Sequence, residues 1–186
     1  MSRQELTQAI HDNLRNLSLE VLDVINLRSV FNPHHPVEGS HEEPLTVLAE
    51  LQQQGLVRHI GLSNVTSVQV AQGRTICDVV CLQNQYNLAH RDDDSLIDEL
   101  AIQGIACVPF FPLGGFTPLQ SSELTDVAQQ LRATPMRVAL ASLLQRSPNI
   151  LLNPGTSSMA HLRENLAAGQ LTLSSAACAQ LEGIAK

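Results

Sequence analysis

Polar and glycine-rich residues follow five apolar stretches of the chain, and their types are those that could do chemistry. The stretches end in "NLRS", "LSNV", "QNQYNL", "FFPLGG" and "NPGTSS". Ser63 and Asn64, in the second of them, stand at the end of a run that needs no polar side chain if it only packs. Hydroxyl and amide groups both donate and accept hydrogen bonds, so they suit a polar ligand. A simpler alternative is that the Ser63–Asn64 pair caps the helix that follows.

The elements that must position these residues alternate between strand and helix. Apolar runs predict strands at 21–29, 58–64, 78–88, 105–115 and 149–158, and segments of helical period lie before and between them. No hairpin signal interrupts this order, which indicates a parallel sheet covered on its outer face by helices. A doubly wound sheet is the rival architecture. All five strands end in polar or glycine-rich residues, and function at the carboxyl ends of the strands is typical of a (β/α)8 barrel.

Composition and charge argue against several classes of protein. With 44% hydrophobic and 16% charged residues among 186, the chain can build a core. A formal net charge of −7 without a basic run argues against nucleic acid as a partner. Nothing resembles a signal peptide or an apolar run of membrane-spanning length, so no membrane partner is expected. Four cysteines without a CxxC pair fit core thiols in a reducing, cytoplasmic setting.

Other polar clusters have simple explanations. His34, His35 and His41 lie in a proline-rich stretch that lacks supporting carboxylate or cysteine ligands. We therefore expect a solvated loop, or a loop that covers the rim, rather than a metal site. The run from Asp92 to Asp94 starts a predicted helix, where acidic residues interact favourably with the helix dipole.

Several motifs together resemble a known family. "IGLSN", "QNQYN", "FFPLGG" and "NPGTSSMAHLREN", after the opening "NLRNLSLEVLDVINL", resemble in order and spacing the second half of an aldo-keto reductase. Their spelling is nearest to that of bacterial members that resemble pyridoxal reductases. The resemblance implies an α/β fold, an incomplete (β/α)8 TIM barrel that lacks its first three strands. Residues 1–186 would then be the C-terminal portion of a single barrel domain, with strands four to eight.

The resemblance also implies a cofactor, NADPH, with NADH left open. In the family a serine, an asparagine and a glutamine bind the nicotinamide carboxamide, and an aromatic residue stacks on the ring. A glycine turn approaches the pyrophosphate, and a helix N-terminus holds the adenosine end. The matching positions here are Ser63, Asn64, Gln83, Phe110, Leu113, Gly114, Gly155, Thr156, Ser157, His161, Glu164 and Asn165. Gly155 replaces the family's usual lysine and His161 its usual arginine, which are the common cationic anchors of the 2′-phosphate.

The catalytic set that the resemblance calls for is incomplete in this sequence. Arg28 stands where the family has a substrate-orienting histidine, and Asn26 on the same strand is expected to point into the barrel. The family's tyrosine acid, lysine and aspartate lie on its first three strands. Here the lone tyrosine, Tyr86, belongs to the sixth-strand motif, and the single lysine is Lys186. The implied function is NADPH-dependent reduction of an aldehyde or ketone, pyridoxal among the candidates, with this truncated chain inactive.

A second function class stays open. The alternative is a non-catalytic nucleotide-binding or assembly module derived from the same barrel. The expected partner of the reductase is a small carbonyl substrate. Because five strands cannot close a barrel, self-association through the open sheet edges is a further expectation.

Overall fold

Helices and strands alternate from residue 3 to residue 107 in the order that the sequence predicts. The computed structural model describes residues 2–32, 34–115 and 119–185. They form two compact units, with residues 1–83 in the first and residues 84–186 in the second. Each unit has buried apolar residues of its own.

The first unit combines three helices with three strands among its described residues. They are α1 (Arg3–Leu17), β1 (Leu22–Arg28), α2 (Glu42–Gln53), β2 (Val57–Ser63), α3 (Ser67–Arg74) and β3 (Val79–Gln83). β1 pairs with β2 and β2 pairs with β3, in both cases parallel. Parallel neighbours need a crossover connection, usually a helix, which the alternating sequence pattern supplies.

Apolar side chains on one face of this sheet pack against the helices. Ile60 and Leu62 of β2 are 0% and 1% exposed. α3 approaches this face closely because it carries Gly73, where a Cβ would lie 3.3 Å from a methyl group of Leu62. Gly61 and Ser63 lie on the opposite face of β2, since successive side chains of a strand point to opposite faces. That opposite face is the one on which the candidate site residues of this unit lie.

The second unit is mainly helical in its described part. Its elements are α4 (Asp94–Ile102), β4 (Ala106–Cys107), α5 (Ser122–Gln130), α6 (Pro135–Arg146), α7 (Met159–Ala167) and α8 (Ser175–Glu182), with 3-10 turns at Ala168–Gln170 and Gly183–Ala185. α5, α6 and α8 contribute Val127, Val138 and Leu181 to one apolar cluster. A second cluster forms around Tyr86 and Ile97. Across the part of the chain that the structure describes, no helix is both long and apolar enough to span a membrane.

The strand predicted at 105–115 is much shorter than expected. Ala106–Cys107 has strand geometry, and Phe110 adds a single parallel bridge to Gln85. Pro109 and Pro112 have no N–H to donate to a neighbouring strand. Phe111 has a left-handed backbone with φ 57°, which turns the chain away from an extended path. The prolines and this turn therefore end the strand early.

The strand predicted at 149–158 is reduced to a single parallel bridge between Cys107 and Ile150. The Cys107 N–H donates to the Asn149 carbonyl, and the Leu151 N–H donates to the Cys107 carbonyl, both at 2.8 Å. The ladder stops there because β4, its partner, is itself only two residues long. The full length that the sequence predicts for this strand is therefore wrong.

Candidate functional site

Parallel pairing in the first unit sets candidate residues side by side across the sheet. Arg28 lies opposite Ser63, and Ser63 lies opposite Gln83. Each of the three ends its strand, so the row lies at the carboxyl edge of the sheet. Asn64 follows directly, and its N–H donates to the Gln83 carbonyl at 3.0 Å. The structure thus brings together four of the residues that the sequence singles out.

A hydrogen bond within this row fixes Arg28. Its Nη1 donates to the Oγ of Ser63 at 3.1 Å. Ser63 is only 3% exposed, whereas Arg28 is an exposed residue. The buried Ser63 hydroxyl therefore holds Nη1 of Arg28, whose side chain is otherwise exposed to solvent.

The next row toward the amino ends of the strands holds Asn26, Gly61 and Cys81. The Cys81 thiol donates to Asn26 Oδ1 at 3.3 Å, across the middle strand. Burial raises the pKa of Cys81, so the group stays a thiol and keeps its proton to donate. A Cβ at Gly61 would lie 2.1 Å from Asn26 Oδ1 and 2.5 Å from the Cys81 sulfur. Glycine leaves the room for this contact, which orients Asn26 on the face that also carries Arg28.

Asn64 is fully buried and has a left-handed backbone, with φ 57°. Its Nδ2 donates to the carbonyls of Ser29 at 3.3 Å and Asn32 at 2.6 Å. Its Oδ1 is buried and has no hydrogen-bond partner among the described residues. The alternative that Ser63–Asn64 caps the next helix is wrong, because the N-cap of α3 is Thr66, whose side chain accepts from a first-turn N–H.

Two buried amide side chains hold the loop that follows β1. Asn64 binds its beginning, and Gln69, which is 2% exposed, donates through Nε2 to two loop carbonyls at 3.0 and 2.8 Å. The Phe31 ring packs on Gly39 so closely that a Cβ there would lie 2.2 Å from it. The same ring lies 5.0 Å from the His41 ring, centroid to centroid. The loop is therefore folded on itself and tied to the unit, which is more order than a solvated loop requires.

The three histidines of this loop differ in their environments. His34 and His35 are exposed, whereas His41 is only 7% exposed. In the described part of the chain, neither ring nitrogen of His41 has a hydrogen-bond partner. Burial lowers the pKa of His41, so its ring is neutral at neutral pH. Residues 2–32, 34–115 and 119–185 contain no group of three or more His, Cys, Asp or Glu side chains placed to hold a metal ion.

The free energy of unfolding is expected to fall through His41 as the pH drops below its ordinary pKa of 6.5. The folded-state pKa lies below that value, so the unfolded chain binds a proton before the folded chain does. One such proton lowers the free energy of unfolding by up to about 1.4 kcal/mol per pH unit. Urea unfolding of the wild type and of His41→Asn, at about pH 7.5 and about pH 5.5, measures the effect.

His11→Asn is the control for this experiment, since His11 is an exposed residue of α1. We expect His11→Asn to keep the pH dependence of the wild type and His41→Asn to lose part of it. The same change in stability between the two pH values for all three proteins would show that His41 does not act in this way.

Phe110 and Phe111 open a tight turn in the second unit. The Phe110 N–H donates to the Asn84 carbonyl at 3.0 Å, and the two rings meet edge to face with centroids 5.4 Å apart. Gly114 has φ 96°, and its N–H donates to the Phe111 carbonyl at 3.0 Å. That positive φ favours glycine at this position, because residues with a Cβ rarely adopt it. Leu113 is partly buried against the apolar cluster of α5, α6 and α8.

The residues before α7 are open to solvent. Gly155, Thr156 and Ser157 are exposed. The Ser158 N–H donates to Thr156 Oγ1 at 3.1 Å, and Ser158 Oγ in turn accepts from the His161 N–H at 3.4 Å as the N-cap of α7. Exposed hydroxyls beside a helix N-terminus suit an anionic ligand. The side chain of His161 is exposed as well.

Glu164 and Asn165, later in the same helix, make contacts within the protein. Glu164 Oε2 accepts from the Thr134 hydroxyl at 2.9 Å. Asn165 Nδ2 donates to the Pro154 carbonyl at 3.4 Å. Asn165 Oδ1 is buried and has no partner within the residues that the structure describes. Asn165 therefore keeps an acceptor for a ligand, whereas Glu164 is engaged with the start of α6.

The lone tyrosine lies in an ionic network that the sequence does not reveal. Tyr86 is 1% exposed, and its hydroxyl donates to Asp94 Oδ1 at 2.5 Å. Arg91 bonds Asp94 at 2.9 and 3.0 Å, and Arg146 lies 3.5 Å from Asp94 and 2.6 Å from Asp98. Burial, together with the Asp94 hydrogen bond, raises the pKa of Tyr86 far above its ordinary value. Tyr86 therefore holds its proton and packs as a structural residue.

The predicted site residues fall in three places. Within the first unit, one face and edge of the sheet carry Asn26, Arg28, Ser63, Asn64 and Gln83. Within the second unit, Phe110, Leu113 and Gly114 belong to one turn, and the segment 155–165 forms the start and body of α7.

Comparisons with known sequences agree on one family. A sequence model of the Aldo/keto reductase family matches residues 1–186. Pyridoxine 4-dehydrogenase of Escherichia coli (strain K12) is 67% identical over 186 residues, which is 100% of this chain and 65% of that protein. An uncharacterized oxidoreductase of Schizosaccharomyces pombe is 32% identical over 178 residues, which is 95% of this chain and 56% of that protein. The chain thus spans less than two thirds of the length of these curated relatives.

Solved structures share the fold. A thermostable aldo-keto reductase solved with the inhibitor epalrestat superposes with a TM-score of 0.85 at 29% identity, over 98% of this chain and 67% of that chain. An aldo-keto reductase from Klebsiella pneumoniae solved with NADPH gives 0.81 at 23% identity, over 96% and 64%. The predicted fold class, part of a TIM barrel, is confirmed. With the family sequence matched over all 186 residues and the fold shared, the chain belongs to the aldo/keto reductase family.

Proposed function

We propose that this chain binds NADPH as part of a reductase that converts an aldehyde or ketone, pyridoxal among the candidates, to an alcohol. The observation that carries the proposal is the row of Arg28, Ser63 and Gln83 at the carboxyl edge of the sheet, with Asn64 beside it. The relative named pyridoxine 4-dehydrogenase supports this class of reaction. The Klebsiella pneumoniae neighbours solved with NADP and with NADPH support the cofactor.

The residues of the row fit a nicotinamide carboxamide. This group has an acceptor oxygen and two N–H donors, which a glutamine amide and a serine hydroxyl can complement. Gln83 and Ser63 supply these groups. Asn64 Oδ1 is a buried acceptor without a partner in the described residues, and an N–H of the carboxamide would satisfy it. NADPH supplies the hydride when it is bound, and these side chains would hold its ring so that one face meets the substrate.

The family resemblance assigns further cofactor contacts to residues of the second unit. Phe110 is proposed to stack on the nicotinamide, and the backbone of Leu113 and Gly114 to approach the pyrophosphate. The start of α7 is proposed to hold the adenosine end, with exposed hydroxyls and N–H groups for a phosphate and the Oδ1 of Asn165 as an acceptor. No lysine stands at Gly155, so NADH stays a second candidate cofactor.

Arg28 and Asn26 are proposed to orient the carbonyl group, and the proton is proposed to come from outside these 186 residues. The only tyrosine is the buried Tyr86, and the only lysine is Lys186. The alternative, a non-catalytic nucleotide-binding or assembly module, predicts cofactor binding without turnover even when the catalytic segment is supplied. Three statements stay predictions. Residues 1–186 are predicted to form part of one barrel domain, the chain is predicted to self-associate through open sheet edges, and it is predicted to be cytoplasmic.

Removal of Gln83 is expected to weaken NADPH binding. The Gln83→Ala change takes away the amide that would bind the carboxamide, and it leaves a polar group of the cofactor unpaired. Such a loss costs on the order of 1–2 kcal/mol of binding free energy. Titration of the chain with NADPH, followed by NADPH fluorescence or by calorimetric heat, measures the change.

Gln72→Ala is the matched control, since Gln72 is an exposed glutamine of α3 in the same unit. It is expected to bind NADPH as tightly as the wild type. Equal affinities of Gln83→Ala and Gln72→Ala would remove the role assigned to Gln83. A wild-type chain that is folded by circular dichroism and does not bind NADPH would remove the cofactor itself.

A further inference from the structure

His41 ends the loop that follows β1 and directly precedes α2. It is only 7% exposed, and both of its ring nitrogens are buried without a hydrogen-bond partner among the described residues. We propose that protonation of His41 in mild acid releases loop segment 34–41 and thereby loosens Asn64 in the proposed cofactor site. The part that concerns Asn64 rests on the proposed function and assigns a pH-dependent control to that site.

The closed loop does not compensate a charge on His41. An imidazolium has two N–H donors, and neither ring nitrogen has an acceptor within the part of the chain that the structure describes. His41 is also the N-cap of α2, where the helix dipole disfavours a cation. Burial accordingly lowers the pKa of His41 from its ordinary value of 6.5. The charged ring therefore favours a conformation in which it reaches water.

The groups around His41 leave this balance unchanged in the closed loop. A cavity of about 380 Å³ beside His41 is lined by the loop and by residues of α2 and α3. Its other titratable lining residues are Glu38 from the loop and Glu42 from α2, which are both exposed. α3 contributes Gln69 and Gln72, which carry no charge. The cavity gives a charged ring a short path to water and to the two carboxylates once the segment moves.

Side-chain contacts, and not a backbone ladder, tie segment 34–41 to the first unit. None of its residues has helix or strand geometry. Gln69 Nε2 donates to two carbonyls of the segment at 3.0 and 2.8 Å. The Phe31 ring lies 5.0 Å from the His41 ring, centroid to centroid. Opening that breaks such contacts costs less free energy than unfolding of the sheet, so release of the segment is local.

Asn32 connects the segment with the proposed cofactor site. Its Oδ1 accepts from the His34 N–H at 2.9 Å, and its carbonyl accepts from Asn64 Nδ2 at 2.6 Å. Asn64 Oδ1 is the buried acceptor that is proposed to receive an N–H of the carboxamide. Release of the segment removes Asn32 as a fixed partner, so the Asn64 side chain can rotate. Loop closure and cofactor binding therefore favour each other.

Amide hydrogen exchange of Leu45, followed by nuclear magnetic resonance, measures the opening. The Leu45 N–H donates to the His41 carbonyl at 3.0 Å in the first turn of α2. With the intrinsic exchange rate corrected for pH, its protection is expected to fall about tenfold from about pH 7.5 to about pH 5.5. The reason is that the released ring takes up a proton at its ordinary pKa of 6.5, whereas the buried ring does not.

A reference amide and two variants separate His41 from other causes. The Val70 N–H donates to the Thr66 carbonyl at 3.0 Å in α3, and it reports unfolding of the unit. Low urea is expected to speed exchange at Val70 and to leave Leu45 nearly unchanged, because local opening exposes little surface.

His41→Phe keeps an aromatic ring beside Phe31 and cannot take up a proton, so the protection of Leu45 is expected to be equal at the two pH values. His34→Asn is the matched control, since it removes an exposed histidine of the same segment and is expected to keep the tenfold loss. Circular dichroism identifies a variant that does not fold, and His41→Asn replaces His41→Phe in that case.

Equal protection of Leu45 at both pH values in the wild type, or the same loss in the folded His41 variant, would overturn the role of His41. Protection and urea dependence of Leu45 equal to those of Val70 would overturn local release.

NADP⁺, which is more stable in acid than NADPH, provides a separate arm. At about ten times its Kd it is expected to raise the protection of Leu45 about tenfold, because it binds the closed loop better than the open one. Binding without any rise would overturn the link to Asn64. Absence of binding at either pH counts against the proposed function and against that link, whereas exchange without cofactor decides on His41.

Discussion

The 186-residue chain, mixed with NADPH and pyridoxal, is expected to leave the NADPH absorbance unchanged. Reduction of a carbonyl needs an acid that protonates the oxygen as the hydride arrives, and such acid catalysis contributes about 10²–10⁴-fold. Tyr86, the only tyrosine, is 1% exposed and bonded to Asp94, and its pKa is raised by burial. Arginine is a poor general acid because a guanidinium holds its proton strongly. Neither residue can therefore act as the acid.

The assay follows absorbance with a panel of pyridoxal and simple aromatic aldehydes. Addition of a separately produced segment that carries the family's tyrosine, lysine and aspartate is expected to restore turnover. Turnover that copurifies with the chain and disappears in Tyr86→Phe or Arg28→Gln would show that these 186 residues contain their own catalytic group. Cofactor binding without turnover, even after the segment is added, would favour the non-catalytic module.

Asp94→Ala is expected to lower the free energy of unfolding by about 2–4 kcal/mol. The change takes the acceptor from the Tyr86 hydroxyl, which belongs to a residue only 1% exposed. It also takes a shared carboxylate from Arg91 and Arg146. The Asp94 side chain is itself 38% exposed, so solvent weakens the ionic part and the buried hydroxyl dominates the loss. Urea unfolding followed by far-ultraviolet circular dichroism measures the difference.

Asp98→Ala is the matched control, because Asp98 binds Arg146 from the same helix but is 59% exposed. An exposed ion pair of this kind contributes about 0–1 kcal/mol, so little stability should be lost. Tyr86→Phe removes only the hydroxyl, and its stability is expected to lie between those of the two aspartate variants. Equal losses for Asp94→Ala and Asp98→Ala would mean that the buried hydroxyl does not depend on Asp94.

Local sequence pattern predicts much of the first unit. The strands predicted at 21–29 and 58–64 nearly coincide with β1 and β2. Each is an apolar run that ends in polar residues, and the parallel order of the strands then places those ends in one row. The closeness of Arg28, Ser63 and Gln83 therefore follows from the sequence once the parallel sheet is accepted. Their roles toward a cofactor or substrate stay predictions.

Contacts that depend on the path of the backbone are not visible in the sequence. The Asn64 side chain binds carbonyls in the loop after β1, and a carbonyl is present at every residue, so residue type gives no signal. The short strand at Ala106–Cys107 shows the same limit, since its partner segment decides how far the pairing extends. Asp94 and Asp98 are four apart on one face of α4, which is a usable signal for a shared partner. The helix dipole already explains acidic residues at a helix start, so their presence does not by itself indicate that Asp94 also binds Arg146.

Gly61 couples three positions on three neighbouring strands. A Cβ at this position would lie 2.1 Å from Asn26 Oδ1 and 2.5 Å from the Cys81 sulfur, so a larger residue displaces both neighbouring side chains unless they are smaller. A library of single substitutions would report only the cost of that displacement and would miss the combinations with smaller neighbours. A library that varies Asn26, Gly61 and Cys81 jointly can reach them. For protein engineering at this face, the unit of change is a row across the sheet and not a residue.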